Sequence, residues 1–180
     1  ATKVVDGKEF NNNRKEAFNG FIGESDIAVF GVDYSYISKK KHDLTIKKFY
    51  KNDLSLVDSK DIYSNPLKDY LNRPLELFYL KDQFYLFSEF TSYNSEPAKV
   101  GLFIYDGNGD QISFEVIDTI VDLERTDIEI VVNKNKDGFL YIKNHPHHVV
   151  SRQVLDLKKI DFKGVTLWEK ELLSTNSIHK

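Results

Sequence analysis

The chain has 180 residues, 41% of them hydrophobic and 13% aromatic, which suits one globular domain rich in strand-forming residues. Its 25 basic and 28 acidic residues leave a net charge of −3, so electrostatics give no reason to expect a nucleic acid or an anionic membrane as partner. No apolar run approaches the roughly 20 residues of a membrane span, and the lack of cysteine excludes disulfides and thiolate chemistry.

The N-terminal segment begins ATKVVDGKEF, and the chain contains no methionine. This start predicts an exported protein whose leader has been removed; a trimmed recombinant start is the alternative. We therefore expect an extracytoplasmic location, in the periplasm or at the cell surface. Residues 1–17 are predicted to form an N-terminal strand or arm, in which TKVV (2–5) could complete the edge of a sheet.

A repeat organises the remainder of the chain. The stretch GFIGESDIAVFGVDY (20–34) aligns without a gap with LFYLKDQFYLFSEFT (77–91), at an offset of 57 residues that matches Phe30 with Phe87. A third copy, IEIVVNKNKDGFLYIKN, has a longer turn and places its Phe139 at an offset of 55 residues. Internal repeats of this period are typical of blade or solenoid architectures. The three units are predicted at 18–64, 74–120 and 127–173.

Each unit is predicted to contain four short β-strands. The first two form a hairpin, and Lys81–Asp82 is the tightest of the hairpin turns. The third strands are predicted at 43–50, 99–106 and 149–157, and the fourth strands at 54–62, 112–120 and 165–173.

The second unit is apolar on both faces of its first three strands. In its second strand, Phe84, Leu86 and Phe90 alternate with Tyr85 and Phe87. Strands of this kind must be covered on both sides. The pattern also predicts one face of the first strand from Leu75, Leu77 and Tyr79, and the other from Phe78 and Leu80.

These features predict an all-β chain that forms three four-stranded blades of a partial β-propeller, because propeller blades are clamped between neighbours. Three blades are fewer than the four to eight of a typical ring, and a β-barrel or sandwich of the same strands is the alternative. The third blade, which carries Val131, Phe139 and Tyr141, is predicted to have no partner within this chain. We expect a protein partner or a second copy to cover it.

Three histidines in HPHH (145–148) form the candidate metal site. His145, His147 and His148 supply the imidazoles that zinc, copper or nickel prefer, and His42 occupies the equivalent loop of the first unit. An exposed polar loop is the alternative interpretation. No cofactor motif is present, so no cofactor is expected.

Carboxylates and aromatic residues form the candidate binding sites. Glu76 and Glu129 occupy comparable positions in the first strands of their units, and such strands line the central channel of a propeller. Tyr93 and Trp168 lie at a strand end and on an outer strand, where aromatic rings often serve interfaces.

The hairpins ELFYLKDQFYLFSEF and KVGLFIYDGNGDQISFEV resemble the blades of poorly characterised exported β-propeller proteins from Bacteroidota. The resemblance covers nearly the whole chain and implies a cell-envelope location with a binding or scaffolding role. The first hairpin is also similar to those of five-bladed glycosidase propellers, whose blades often start with an Asp-Pro pair. This chain has Arg73–Pro74 there, so no catalytic residue transfers.

The predicted function is therefore protein binding without catalysis, as a subunit of a cell-envelope assembly, with a secretion-related assembly as one form of it. Binding or hydrolysis of carbohydrate at a channel mouth that contains Glu76 and Glu129 is the alternative.

Overall fold

The structure, a computed structural model, describes residues 17–38, 41–62, 65–146 and 153–173. Within these ranges twelve β-strands follow one another, and one short 3₁₀ helix, Leu123–Arg125, lies between the eighth and ninth strands. The strands are β1 (Ala17–Glu24), β2 (Ala28–Ser38), β3 (Lys41–Tyr50), β4 (Leu56–Asp61), β5 (Tyr70–Leu80), β6 (Gln83–Ser92), β7 (Ala98–Asp106), β8 (Gln111–Ile120), β9 (Asp127–Val132), β10 (Gly138–Pro146), β11 (Gln153–Asp161) and β12 (Thr166–Leu173).

Consecutive strands pair antiparallel in three four-stranded sheets, which we call blade 1 (β1–β4), blade 2 (β5–β8) and blade 3 (β9–β12). Each sheet is a meander with two open edges, so none of the described sheets closes into a barrel. The prediction of an all-β chain with three propeller-like, four-stranded units is confirmed. The predicted arm at 1–17 lies outside the described residues, except for Ala17 at the start of β1.

Short turns join the first two strands of each blade, as the sequence predicts. In blade 2 the turn consists of Lys81 and Asp82, whose φ angles are 51° and 58°. Positive φ at both central residues is the geometry of a type I′ turn, which matches the twist of the flanking strands. The turn in blade 3 is longer, and the Asn133 N–H donates to the Gly138 carbonyl at 3.0 Å.

Blade 2 is buried on both faces because it lies between the other two blades. On β6, Phe84, Leu86 and Phe90 pack in a cluster with residues of blade 1, whereas Tyr85 and Phe87 pack in a second cluster with residues of blade 3. None of these five side chains is more than 1% exposed. Alternation of side chains along the strand produces this two-sided burial, and the faces predicted for this strand are confirmed.

Aromatic rings form the centre of both clusters. In the first cluster, the ring of Phe30 lies 5.1 Å from that of Phe84 and 4.3 Å from that of Tyr79, measured between centroids. In the second, the ring of Phe139 lies 5.0 Å from that of Phe87 in an edge-to-face arrangement. Such pairs add to the stabilisation that comes from burial of their apolar area.

The first strand of blade 2 differs from the prediction in two respects. It begins at Tyr70 instead of Pro74, and its pairing with β6 shifts by one residue between Pro74 and Glu76. A β-bulge of this kind changes the face on which the next side chain lies. Leu75 therefore packs against the cluster shared with blade 3, and its predicted position on the same face as Leu77 is wrong.

The third strand of blade 3 is displaced from its predicted position at 149–157, since β11 spans Gln153–Asp161. The reason lies at its far end. The Asp161 carboxylate accepts a hydrogen bond from the Val165 N–H at 2.9 Å, and Gly164 has a φ of 86°. These features fix the turn at 162–165, so the strand continues four residues further than predicted.

The outermost strands of blades 1 and 3 are exposed along their whole lengths. The strand β12 is nonetheless apolar at several positions. Exposed apolar groups on an edge strand favour association with another surface. Its large exposed side chains, with their exposed fractions, are Leu167 (52%), Trp168 (45%), Leu172 (38%) and Leu173 (49%).

Candidate functional site: the uncovered face of blade 3

One face of blade 3 packs against blade 2. Phe139 and Tyr141 on β10 are fully buried there, and the ring of Phe139 lies 5.4 Å from that of Phe78 and 5.2 Å from that of Tyr85. The expectation that Phe139 and Tyr141 lack a partner within the chain is therefore wrong. Of the three residues in that prediction, Val131 alone lies on the other face, because it pairs with Leu140.

The opposite face of blade 3 is apolar at its centre. Leu140, Ile142, Leu155 and Leu157 are its apolar side chains on the two inner strands: Ile142 of β10 pairs with Leu157 of β11, whereas Leu140 pairs with Lys159 and Leu155 with Asn144. These four side chains are half-buried, and none belongs to either of the clusters that join the described blades. We call this surface the open face; it is formed by Val131, Leu140, Ile142, Leu155, Leu157, Trp168 and Leu172.

Charge is distributed unevenly across the open face. Its central row runs through four strands, from Glu129 on β9 through Ile142 and Leu157 to Lys170 on β12. Both charged ends of this row are exposed. Acidic groups therefore lie at the β9 edge, where Asp127 adds a second carboxylate, and a lysine lies at the β12 edge.

By the repeat, the open face of blade 3 corresponds to the face of blade 2 that blade 3 covers. At the offset of 55 residues, Leu140 matches Tyr85 and Ile142 matches Phe87. In blade 2 both matching side chains are at most 1% exposed, because blade 3 packs on them. The open face thus has apolar side chains at the positions where, in blade 2, the next blade packs. The sequence analysis could have predicted the open face by applying the same offset residue by residue.

The opposite end of the blade series is already buried. On blade 1, Phe49 and Asp33 lie on the face that is turned away from blade 2, yet they are only 1% and 6% exposed. Lys47 forms an ion pair with Asp33 on the same face. The two ends of the described fold therefore differ, since the outer face of blade 1 has a buried aromatic ring and a buried ion pair at its centre and exposed apolar side chains, Phe21 and Leu56, only towards its edges.

A buried charge network joins blades 2 and 3. The Asp118 carboxylate on β8 accepts hydrogen bonds from the ammonium groups of Lys158 at 2.7 Å and Lys143 at 3.0 Å, and from the Tyr141 hydroxyl at 2.9 Å. Lys143 also lies 3.1 Å from Asp156. Sequence reasoning missed this network, because its members come from three strands of two blades.

The network shifts the pKa of its members. Burial alone would raise the pKa of Asp118 and is the largest single influence, but the hydrogen bonds and charges of Lys158 and Lys143 together outweigh it and lower the pKa. For Lys143, burial again opposes the charged form, and Asp118 and Asp156 reverse its effect, so the pKa is raised. Burial raises the pKa of Tyr141, which keeps its hydroxyl protonated as a donor.

The predicted aromatic binding residues lie on different blades. Trp168 is part of the open face and pairs with Lys159 across the strands. Tyr93 follows β6 in blade 2 and is 52% exposed, and its N–H donates to the Asp69 carbonyl at 3.0 Å. Trp168 therefore belongs to the candidate site, whereas Tyr93 does not.

The two predicted carboxylates are exposed on the first strands of their blades, as the repeat indicates. Glu76 lines a cleft of about 300 Å³ between blades 1 and 2, with Tyr34 and Leu77 among its walls. Glu129 is not among the described residues that line that cleft, and it lies at the β9 edge of the open face. The structure does not bring the two carboxylates into one cleft.

The candidate metal site is described in part. Both ring nitrogens of His145 have polar neighbours, with Nε2 3.1 Å from the Asp156 carboxylate and Nδ1 3.2 Å from the Pro146 carbonyl. His147, His148 and the side chain of His42 lie outside the described part of the chain. Within that part, no three His, Asp or Glu side chains are arranged to hold a metal ion. The histidine site stays a prediction.

A larger cleft of about 840 Å³ opens at the turns that join the first two strands of the blades. Two of its lysines already have neighbours, since Lys51 pairs with Glu24 at 3.2 Å and Lys81 lies 4.4 Å from the centre of the Phe162 ring. Burial and a hydrogen bond to Asp82 raise the pKa of Tyr79 to about 12, so this hydroxyl is no proton acceptor near neutral pH. The cleft carries mixed charge.

Comparisons with known proteins identify no relative. A scan against protein-family models, a search of curated proteins and a search of solved structures each found no match. No helix in the described ranges is long and apolar enough to cross a bilayer.

Proposed function

We propose that this protein is a non-enzymatic binding module, a partial β-propeller that docks on another polypeptide through the open face of blade 3. The observation that supports the proposal is the equivalence of Leu140 and Ile142 with Tyr85 and Phe87, which a neighbouring blade buries. A sheet face that carries such apolar positions without a cover favours association, because contact removes apolar area from water.

The outer rim of the open face suits an interface as well. Trp168 is 45% exposed and Leu172 is 38% exposed, and both lie on β12, the edge strand of blade 3. Tryptophan is enriched among the residues that dominate binding energies, since its large ring buries much area at little entropic cost. Glu129 and Lys170 at the two ends of the central row resemble the polar rim that surrounds an apolar interface core.

The proposal includes a location and a role. We propose that the protein acts outside the cytoplasm, as a scaffolding subunit of a cell-envelope assembly. The support is the resemblance of the hairpins at 76–90 and 99–116 to exported propeller blades. Fractionation of cells that produce the protein tests the location, and recovery in the cytosolic fraction would contradict it.

Site-specific photocrosslinking tests the docking role. A photoreactive phenylalanine analogue replaces Leu172 on the open face or, as a control, Leu56 on the outermost strand of blade 1, which is 51% exposed. We expect discrete protein adducts from position 172 in producing cells and none from position 56. Equal adduct patterns from the two positions, or none from either, would contradict docking through the open face.

A further inference from the structure

We infer that the occupant of the open face is a second copy of this chain, packed face to face about a two-fold axis that is parallel to the strands. This inference rests on the proposed docking function and names its partner. The charge pattern of blade 3 and the burial at the centre of the opposite end of the fold support it, and the spacing of the strands makes it testable.

The central row of the open face is complementary to itself about this axis. Rotation about an axis parallel to the strands places β9 of one copy over β12 of the other and leaves the rows in register. Glu129 of each copy then lies opposite Lys170 of the other copy, and Ile142 lies opposite Leu157. Opposite charges therefore meet at both ends of the central row, and apolar side chains meet at its centre.

A second two-fold arrangement is disfavoured by the same charges. An axis perpendicular to the strands would place each strand over its own copy, so that Glu129 would lie opposite Glu129 and Lys170 opposite Lys170. Like charges that meet in an interface cost several kcal/mol and act against that arrangement. The position of the acidic and basic edges thus selects one axis.

The buried end of blade 1 argues against a head-to-tail arrangement. In such an assembly blade 3 of one copy would pack on the face of blade 1 that is turned away from blade 2. On that face Phe49 is 1% exposed and Asp33 is 6% exposed, so these central positions are closed to a partner, although Phe21 (54%) and Leu56 (51%) are exposed towards its edges. An isologous pair, in which the same surface serves both copies, leaves this face of blade 1 out of the interface.

Strand spacing makes the proposed ion pair testable. Within one chain, β9 and β12 are the two edges of blade 3, three strand intervals or roughly 14 Å apart. Glu129 and Lys170 of the same chain are therefore too far apart for a direct contact. Any strong coupling between substitutions at these two positions must arise between chains.

A charge-swap experiment follows from this geometry. Sedimentation velocity of the purified full chain measures dimerisation of the wild type, of Glu129→Lys, of Lys170→Glu and of the double variant. Glu115→Lys is the control, because Glu115 is an exposed glutamate on β8 of blade 2. We expect a wild-type dimer, an increase in Kd of about tenfold or more for each single variant, recovery in the double variant and no change in the control.

Fluorescence of Trp168, the one tryptophan of the sequence, gives an independent measurement. In the proposed dimer Trp168 lies opposite Val131 of the other copy, so acrylamide should quench its emission less as protein concentration rises. We expect this protection in the wild type and in the double variant. We expect it to be lost in Glu129→Lys at the same concentrations.

Two results would overturn the inference. One is a wild type that stays monomeric at its highest attainable concentration. The other is a dimer whose Kd is unchanged by both single substitutions, or whose wild-type Kd is not restored in the double variant. Neither result removes the proposed docking function if position 172 crosslinks to a different protein in cells. Failure of both experiments would remove the two proposals together.

Discussion

Asp118 of blade 2 accepts a hydrogen bond from Lys158 of blade 3, with 2.7 Å between the carboxylate oxygen and the ammonium nitrogen. The carboxylate is 8% exposed and the lysine side chain 15% exposed, so both charges are largely removed from water. A pair of this kind contributes little net stability compared with apolar residues, but loss of one partner is costly because the other charge stays buried. Asp118 therefore fixes how blades 2 and 3 meet.

Replacement of Asp118 by Asn should destabilise the fold strongly. The substitution leaves the ammonium groups of Lys158 and Lys143 buried with less compensating charge, which should lower the free energy of unfolding by about 3 kcal/mol. Urea denaturation followed by circular dichroism measures the change. Asp110→Asn is the control, because Asp110 pairs with Lys60 at the same 2.7 Å, on the surface.

The two ion pairs have the same distance between their charged atoms but differ in burial, so the control isolates the effect of burial. Lys60 and Asp110 are 45% and 69% exposed, so loss of their pair should lower the free energy of unfolding far less than loss of the buried pair does. Equal destabilisation by Asp118→Asn and Asp110→Asn would show that burial of the network between blades contributes nothing beyond a surface ion pair.

The free energy of unfolding should fall as the pH is lowered and Asp118 becomes protonated. The lysines lower its folded pKa below the unfolded value of 3.8, although burial acts in the other direction. Ionised Asp118 therefore stabilises the fold above pH 3.8, and this contribution is lost as the pH falls through the folded pKa. Urea midpoints measured from neutral pH to pH 3 test the sign.

Other carboxylates also titrate in this range, so the comparison must be with Asp118→Asn. Asp106 at the end of β7 and Asp137 in the turn between β9 and β10 have lowered pKa values as well and contribute to the wild-type slope. The difference in unfolding free energy between wild type and Asp118→Asn should shrink as the pH falls. A difference that is constant with pH would contradict the assignment.

The two-faced pattern of blade 2 explains why so much of the fold could be predicted from sequence. Phe84 to Phe87 alternate between two apolar faces without a polar position, and a strand of that kind is stable only between two covering layers. The offset of 57 residues then extends this face assignment to blade 1, where Phe30 packs towards blade 2 as Phe87 packs towards blade 3.

The same reasoning fails where a single residue changes the register. The bulge between Pro74 and Glu76 moves Leu75 to the other face, and nothing in the local alternation of apolar residues records it. The uncovered face of blade 3 was open to prediction, since Leu140 follows Phe139 by one residue and must point the opposite way. Asp118 was not, because its lysines lie 25 and 40 residues away on other strands.

Replacement of Phe139 by Ala should separate blade 3 from blade 2. Phe139 is 0% exposed, and its ring lies within 5.4 Å of four other aromatic rings, so the cavity should lower the unfolding free energy by about 3–5 kcal/mol. Hydrogen exchange should show the largest loss of protection in β10 and β11. Ile112→Ala is the control.

Ile112 on β8 is 55% exposed, so its truncation removes little buried area and should change stability by less than about 1 kcal/mol. A Phe139→Ala protein with wild-type stability, or one that loses protection first in blade 1, would contradict the role of Phe139 as the main contact between blades 2 and 3.

Replacement of Gly138 by Ala should disturb the start of β10. A Cβ atom at this position would lie 2.1 Å from the Ile160 carbonyl oxygen, and a backbone atom cannot move aside as a flexible side chain can. We expect a loss of about 1–3 kcal/mol in unfolding free energy, with faster hydrogen exchange where β10 pairs with β11.

Asn135→Ala in the same turn is the matched control for Gly138→Ala. Asn135 is exposed, so this substitution should change stability by no more than about 0.5 kcal/mol. Because Gly138 pairs with Asp161 at the end of the sheet, the damage from Gly138→Ala should stay within blade 3 and leave exchange in blade 1 unchanged. Equal unfolding midpoints for the two variants would show that β10 and β11 can move apart at Gly138 without a loss of stability.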